Sequence, residues 1–194
     1  MEMQRTIGFA DGENLVMRFQ AMVEAGAIPK NDVVHERDCL VWHPEITRWS
    51  MFDFVRFNYY TSTTGDMPKV NALRDSICNV EYEFTYTHND DVPYGTANLV
   101  PHVFHKPSKN TKARNVDLQI SIDVLRAAHL PSVDSIFILS GDGDYIPLIQ
   151  EASRHGKEIW LGAFSSGLHP SLRHYIDVFC ELDDIFFSQL PQKS

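Results

Sequence analysis

The sequence predicts an α/β fold with a mainly parallel, doubly wound central sheet. Apolar strand-like segments alternate with helical segments of about ten or more residues, an order that favours parallel strands joined by crossovers. The segment SIFILS at 135–140 is almost entirely apolar, as expected for a strand covered on both faces. Hydrophobic residues make up 43% of the 194 residues and charged residues 22%, a composition typical of globular domains.

The first half of the chain opens with a strand and a helix. The segment TIGFA at 6–10 predicts a strand that ends at Asp11-Gly12, and apolar residues at helical spacing predict a helix over 13–25. Gly26 and Pro29 end that helix. Further strands are predicted at 38–42, 54–61 and 81–87, and a further helix at 68–77.

The last third of the chain has the most regular pattern. Helices are predicted at 116–128, 145–155 and 168–175, strands at 135–140 and 158–164, and an apolar run at 177–182. We expect one domain over residues 1–194, with an insertion at 27–52 and a loop or hairpin excursion at 88–114, where turn-forming residues are concentrated.

The charge balance and the cysteines limit the classes of function. Lys and Arg number 17 against 26 Asp and Glu, a formal charge of -9, whereas proteins that neutralise phosphates are expected to be basic on at least one face. Binding of nucleic acid therefore requires a specific feature, such as carboxylates that hold a cation. No apolar run of about 18 residues and no signal peptide are apparent. The three cysteines are widely spaced, so a reducing cytoplasm is the expected location and no membrane partner is expected.

Four aspartates occupy the predicted ends of strands or the start of a helix. Asp11 follows the first strand, Asp142 and Asp144 follow SIFILS, and Asp117 opens the preceding helix. Ligands of doubly wound sheets bind outside the carboxyl ends of the strands, so these side chains are expected to converge in one crevice. Clustered carboxylates are tolerated when they are protonated or hold a cation, and hard oxygen ligands suit Mg²⁺ or Mn²⁺.

A structural interpretation exists for each of these acids. Asp11 and Asp117 are good helix caps, and the segment SGDGD reads equally as a glycine-rich turn with Asp144 capping the next helix. Neither His102 with His105 nor His169 with His174 has a third ligand at a convincing spacing, so no zinc site is expected.

Five segments, in order, carry a resemblance to a known family. They are FADGENL at 9–15, RFNYYTS at 56–62, KARNVDLQISIDVL at 112–125, FILSGDGDYIPLIQEASRHGKEIWLGAF at 137–164 and LRHYIDVFCEL at 172–182. Together they resemble the NYN family of the PIN-like nuclease superfamily over about 6–185. The chain departs from the family at 113–115, where Ala-Arg-Asn stands in place of the usual glycine near the lysine.

The resemblance implies a PIN-like Rossmannoid three-layer sandwich and metal-dependent cleavage of RNA. By position, the metal-binding acids are Asp11, Asp117, Asp142 and Asp144. Asn14 and Ser140 match polar residues that orient these acids, and Asp123 matches a second helix acid. Asp123 lies six residues after Asp117, about 120° around a regular helix, so both reach one site only if Asp117 sits at the helix start.

A basic run precedes the predicted helix at 116–128. Its members are Lys106, Lys109, Lys112 and Arg114. They are expected to hold the RNA backbone, with Lys112 aligned with the family's lysine; the alternative is a solvated loop. Tyr59, Tyr60 and Tyr145 either stack on bases or belong to the core and the crevice wall.

The resulting hypothesis is a metal-dependent endoribonuclease, a hydrolase with an aspartate-held Mg²⁺ or Mn²⁺ whose partner is single-stranded or structured RNA. A catalytically silent PIN-like module that binds RNA or protein is the first alternative. A small-molecule phosphatase is the second, although Asp11-Gly12-Glu13 departs from the DxD pair of aspartate-nucleophile phosphatases. The sequence leaves a homodimer open.

Overall fold

A six-stranded parallel sheet forms the centre of the fold in the computed structural model, which describes residues 4–48, 53–85, 94–108 and 114–191. The strands of the described residues are β1 (Arg5–Asp11), β2 (Ile28–Pro29), β3 (Val34–Glu36), β4 (Leu40–Trp42), β5 (Asp53–Thr63), β6 (Glu81–Thr85), β7 (Tyr94–Asn98), β8 (Val100–His105), β9 (Ser135–Leu139), β10 (Glu158–Ala163), β11 (Val178–Glu181) and β12 (Phe187–Gln189). The helices are α1 (Gly12–Glu24), α2 (Glu45–Arg48), α3 (Met67–Cys78), α4 (Arg114–Ala128), α5 (Ile146–Arg154) and α6 (Asp183–Phe186), with 3-10 turns at Gly143–Tyr145 and Pro170–His174.

The strand order of the central sheet reverses between β1 and β9. The order is β11-β10-β9-β1-β5-β8, and every neighbouring pair is parallel. From β1 the chain continues through β5 to β8 on one side, and from β9 through β10 to β11 on the other. The predicted fold class is confirmed, and the switch point lies at the carboxyl ends of β1 and β9.

Alternating side chains of the sheet supply two separate cores. On β9, Phe137 and Leu139 belong to one core, and Ile136 and Ile138 belong to the other. The first core includes side chains of α1 and α3, and the second includes side chains of α4 and α5. Both faces of the sheet are therefore covered, which explains why the β9 sequence is apolar at every position from Ile136 to Leu139.

The two irregular segments of the sequence contribute differently to the fold. The segment 27–52 contains β2, which pairs with β12, and the β3–β4 hairpin. Within 88–114, β7 pairs antiparallel with β6, but β8 is an edge strand of the central sheet, parallel to β5. The interpretation of 100–105 as an excursion thus differs from the structure. Pro101 interrupts the strand signal, and an edge strand tolerates a residue without an N–H.

In the part of the chain that the structure describes, none of the helices combines the length and the apolar character of a membrane span.

Candidate active site

The register of the central sheet brings the ends of β1 and β9 together. Ala10 pairs with Leu139, so the next residues, Asp11 and Ser140, lie side by side at the switch point. The hydroxyl of Ser140 donates a hydrogen bond of 3.1 Å to Oδ2 of Asp11. Both residues are buried, and Asp11 exposes 4% of its surface.

Asp11 serves as the N-cap of α1, and the pKa of its carboxyl group is raised. Its Oδ1 accepts the backbone N–H of Asn14 at 3.1 Å. Burial raises the pKa of Asp11 to about 7; the bonds from Asn14 and Ser140 oppose this shift, whereas the charges of Asp117 and Glu13 add to it. The capping interpretation of Asp11 is thus confirmed, and its role in a functional site stays a prediction. At neutral pH its carboxyl group is poised between the protonated and the ionised form.

The hydroxyl of Tyr145 lies between two carboxyl groups. It is 3.3 Å from Oδ2 of Asp11 and 3.4 Å from Oδ1 of Asp117. Burial, followed by the charges of Asp11 and Asp117, raises the pKa of Tyr145 above its usual range. A hydroxyl carries one proton and cannot donate to both acids at once. This hydroxyl can thus satisfy one of the two carboxyl groups at a time, an arrangement that favours an additional proton or a cation.

The aromatic side chains of the site are buried. Tyr145 exposes 3% of its surface, and Tyr59 and Tyr60 expose none. The expectation that these tyrosines belong to the core or the crevice wall agrees with this burial, since a ring that stacks on a base needs an accessible face. In the sequence, the signal for Tyr145 was its position directly after Asp144 in the segment DGDY, which placed it close to the aspartates.

Side-chain hydrogen bonds hold the loop after β9 against the start of α1. Oδ1 of Asn14 accepts the N–H of Gly141 at 3.1 Å, and Oγ of Ser140 accepts the N–H of Asp142 at 3.2 Å. Asn14 thus contacts Asp11 through its backbone N–H and the loop through its side chain. Ser140 contacts both through its hydroxyl group.

Two glycines of the site are required by close approach. A Cβ at Gly12 would lie 2.6 Å from the carbonyl oxygen of Tyr60, and a Cβ at Gly143 would lie 2.6 Å from the ring of His169. Neither position has room for a larger residue without displacement of its neighbours. His169, which sequence reasoning left without a role, therefore packs directly on the Asp142–Asp144 loop.

The two aspartates of that loop differ in their surroundings. Oδ1 of Asp142 accepts the N–H of Asp144 at 2.9 Å and caps the 3-10 turn. The charge of Asp142 also contributes to the raised pKa of Tyr145, so this half-buried acid lies near the Asp11–Asp117 pair. Asp144 is exposed.

Asp123 makes its hydrogen bonds away from Asp11. Its Oδ2 accepts the hydroxyl of Tyr60 at 3.0 Å and the amide of Gln119 at 2.9 Å, and its Oδ1 pairs with Arg126 at 3.1 Å. The bond from Tyr60 joins α4 to β5, whereas Gln119 and Arg126 belong to α4 itself.

Lys106 is the member of the basic run whose side chain the structure describes. Its Nζ lies 3.1 Å from Oε1 of Glu13, the residue two positions after Asp11. Lys109 and Lys112 lie outside the described residues, as does the side chain of Arg114, whose backbone begins α4. Sequence reasoning missed Glu13, because an acid in the first turn of a helix is common.

The acids fit a hard divalent cation by their chemistry. Among the described residues, no three His, Cys, Asp or Glu side chains form a group that could hold a metal ion. The four aspartates are therefore not gathered into one closed set of ligands. Mg²⁺, however, is commonly held by one or two carboxylates together with waters and substrate phosphates. Asp11 and Asp117, whose carboxyl groups lie within hydrogen-bond distance of the same Tyr145 hydroxyl, would supply such a pair of oxygen donors.

The profile of the NYN domain family matches residues 9–183 of this chain. The chain belongs to the NYN domain family. The matched range includes Asp11, Asp117, Asp142 and Asp144, and the family is generally one of nuclease-like hydrolases.

Two similar proteins extend this finding without adding an activity. An uncharacterised protein of Methanocaldococcus jannaschii is 24% identical over 74 residues, which are 38% of this chain and 31% of that protein. The match thus spans about a third of the length of that relative. A crystal structure of a protein of unknown function from Vibrio parahaemolyticus superimposes with a TM-score of 0.61 at 14% identity, covering 96% of this chain and 97% of that one. At that identity the likeness concerns the fold.

Proposed function

We propose that this NYN domain is a metal-dependent endoribonuclease that hydrolyses RNA phosphodiester bonds at the carboxyl ends of β1 and β9. The observation that carries the proposal is the buried carboxyl group of Asp11, which lies with the carboxyl group of Asp117 within hydrogen-bond distance of the same Tyr145 hydroxyl. A buried carboxylate with a second, half-buried carboxylate nearby is costly unless a proton or a cation compensates the charge.

The residues of the proposed site have two roles, metal binding and orientation of the metal-binding acids. Asp11 and Asp117 would hold Mg²⁺ or Mn²⁺, and Asp142 and Asp144 are further proposed ligands on the family's positions. The cation would supply an activated water and positive charge against the scissile phosphate. Ser140 and the N–H of Asn14 keep the carboxylate of Asp11 oriented, since each donates to one of its oxygens.

The RNA strand is proposed to enter along the basic run. Lys106, Lys109, Lys112 and Arg114 precede α4, whose first turn carries Asp117. Lys109, Lys112 and Arg114 would hold phosphates that flank the scissile bond and offset the formal charge of -9, whereas Lys106 is paired with Glu13 in the free protein. The substrate class is single-stranded or structured RNA, and the products would carry a 5′-phosphate.

The experiment that tests this function is incubation of the protein with labelled single-stranded RNA and DNA of the same sequence, in Mn²⁺, Mg²⁺ or EDTA. Cleavage of RNA in Mn²⁺ or Mg²⁺ and its loss in EDTA are expected. RNA that is bound but uncut under all three conditions would favour the silent binding module instead.

A further inference from the structure

Glu13 and Lys106 form an ion pair beside the proposed catalytic acids. Glu13 is the second residue of α1, and Lys106 directly follows β8. Lys106 continues the β5–β8 ladder, because its N–H donates to the carbonyl oxygen of Thr63 at 3.0 Å. The pair therefore joins the start of α1 to the carboxyl end of the sheet, where a phosphate would have to approach Asp11.

A third group fixes the acid of this pair. The hydroxyl of Ser62, at the end of β5, donates to Oε1 of Glu13, the same oxygen that accepts from Lys106. The side chains of Glu13 and Lys106 expose 28% and 19% of their surfaces, so the pair is only partly screened by water. The charge of Glu13 is also felt at Asp11, two residues earlier.

A phosphate group can compete with Glu13 for the ammonium group of Lys106. A carboxylate and a phosphodiester oxygen are both anionic acceptors for the same ammonium group, so they compete for Lys106. In the free protein the carboxylate of Glu13 occupies it. A phosphate that arrives must either displace that carboxylate or bind beside its negative charge.

We infer that Glu13 holds Lys106 back from the RNA backbone, so that this lysine adds little to binding in the wild-type protein. The inference rests on the proposed function, since it concerns the RNA at that site. The carboxylate of Glu13 thereby weakens the binding of polyanions close to the acids of the crevice. Neither residue takes part in bond breaking.

Glu13→Gln tests this role with little change of shape. The amide oxygen can still accept from Ser62 and from Lys106, but the negative charge is gone and the lysine is released for phosphate. Affinity for a labelled single-stranded RNA, measured by fluorescence anisotropy in EDTA so that no cleavage occurs, should increase roughly three- to tenfold. The slope of log affinity against log salt should steepen by about 0.7, one additional single-strand phosphate contact.

The decisive comparison repeats Glu13→Gln in a Lys106→Met background. The slope should then not steepen, because no lysine is released. Glu24→Gln, which removes the same charge at the other end of α1, serves as the matched control and should leave the slope unchanged. Melting temperatures check that each variant is folded, and Lys106→Gln replaces Lys106→Met if the latter is not.

The inference is overturned by no steepening in Glu13→Gln, or by equal steepening with and without Lys106. Absence of RNA binding by the wild-type protein at low salt overturns it as well. The proposed cleavage fails separately, if RNA remains uncut in Mn²⁺ while the slopes change as expected. Cleavage with unchanged slopes refutes the role of Glu13 alone.

Discussion

The hydroxyl of Ser140 donates a hydrogen bond of 3.1 Å to Oδ2 of Asp11, although the two residues are 129 positions apart in the chain. This bond exists because β1 and β9 are parallel neighbours that end at the same level of the sheet. The topology therefore places a donor from one half of the fold on an acid from the other half. The proposed chemistry depends on that meeting of strand ends.

The stability of the protein should depend on pH through Asp11. Its pKa is raised from 3.8 to about 7 on folding, so between these values the folded state binds more protons than the unfolded state. The free energy of unfolding should fall as pH rises through this window, by on the order of 4 kcal/mol. Asp11→Asn should remove this loss while keeping the cap of α1, since asparagine is also a good N-cap.

Urea unfolding in EDTA at pH 5 and pH 8 measures this effect. The difference in stability between the two pH values should be clearly smaller in Asp11→Asn than in the wild type. Asp75→Asn, an exposed position on α3, is the matched control and should behave as the wild type. An identical pH difference in Asp11→Asn and the wild type would show that Asp11 is not the perturbed acid.

Tyr145→Phe should destabilise the metal-free protein in a pH-dependent manner. The substitution removes a donor that lies within hydrogen-bond distance of both Asp11 and Asp117, with an expected loss of about 1 kcal/mol at pH 8. At pH 5 the loss should be smaller, because protonated Asp11 can itself donate a proton. The same urea experiment gives both values. Tyr94→Phe, at a side chain that is 66% exposed, is the control; equal effects of the two substitutions would contradict the shared hydroxyl.

Millimolar Mn²⁺ should raise the melting temperature, because a ligand that binds the folded state stabilises it. The increase should be larger at pH 8 than at pH 6, since a proton on Asp11 competes with the cation. Asp117→Asn should abolish the increase, and Asp75→Asn should retain it. An unchanged melting curve of the wild type in Mn²⁺ would indicate that these acids act as caps and turn residues.

The double variant Lys109→Ala, Arg114→Ala should weaken RNA binding without slowing chemistry. Up to about 1.4 should be lost from the slope of log affinity against log salt, at roughly 0.7 for each single-strand phosphate contact. The cleavage rate at saturating RNA should stay close to wild type, because these residues supply uniform binding. Unaltered affinity and slope would support the solvated-loop alternative. Lys112 is left in place because it aligns with the family's lysine and can reach the scissile phosphate.

The sequence predicted the parts of the fold that depend on local patterns. The apolar runs of β1 and β9 predicted where each strand ends. They therefore also predicted that Asp11 and Asp142 lie at the carboxyl edge of the sheet. The segment 100–105 was expected in a loop or hairpin excursion, whereas β8 lies parallel to β5 at the edge of the central sheet, because the local sequence does not determine the partner of a strand.

Contacts between distant elements were beyond the sequence. The hydroxyl of Tyr145 reaches Asp117 because α5 and α4 pack together, and the pairing of Lys106 with Glu13 joins residues 93 positions apart. Asp123 shows the same limit. Its helical position predicts a direction, but only the structure reveals that the hydroxyl of Tyr60 engages it.

The central claim, that the carboxylates at the ends of β1 and β9 support metal-dependent cleavage of RNA, is tested most directly by one rate. This rate is the single-turnover cleavage of a labelled RNA at saturating protein in Mn²⁺, measured for the wild type, Asp117→Asn and Asp75→Asn. We predict that Asp117→Asn lowers it by at least about a hundredfold, because the cation loses a ligand, while Asp75→Asn matches the wild type. Cleavage by a folded Asp117→Asn at the wild-type rate would contradict the account.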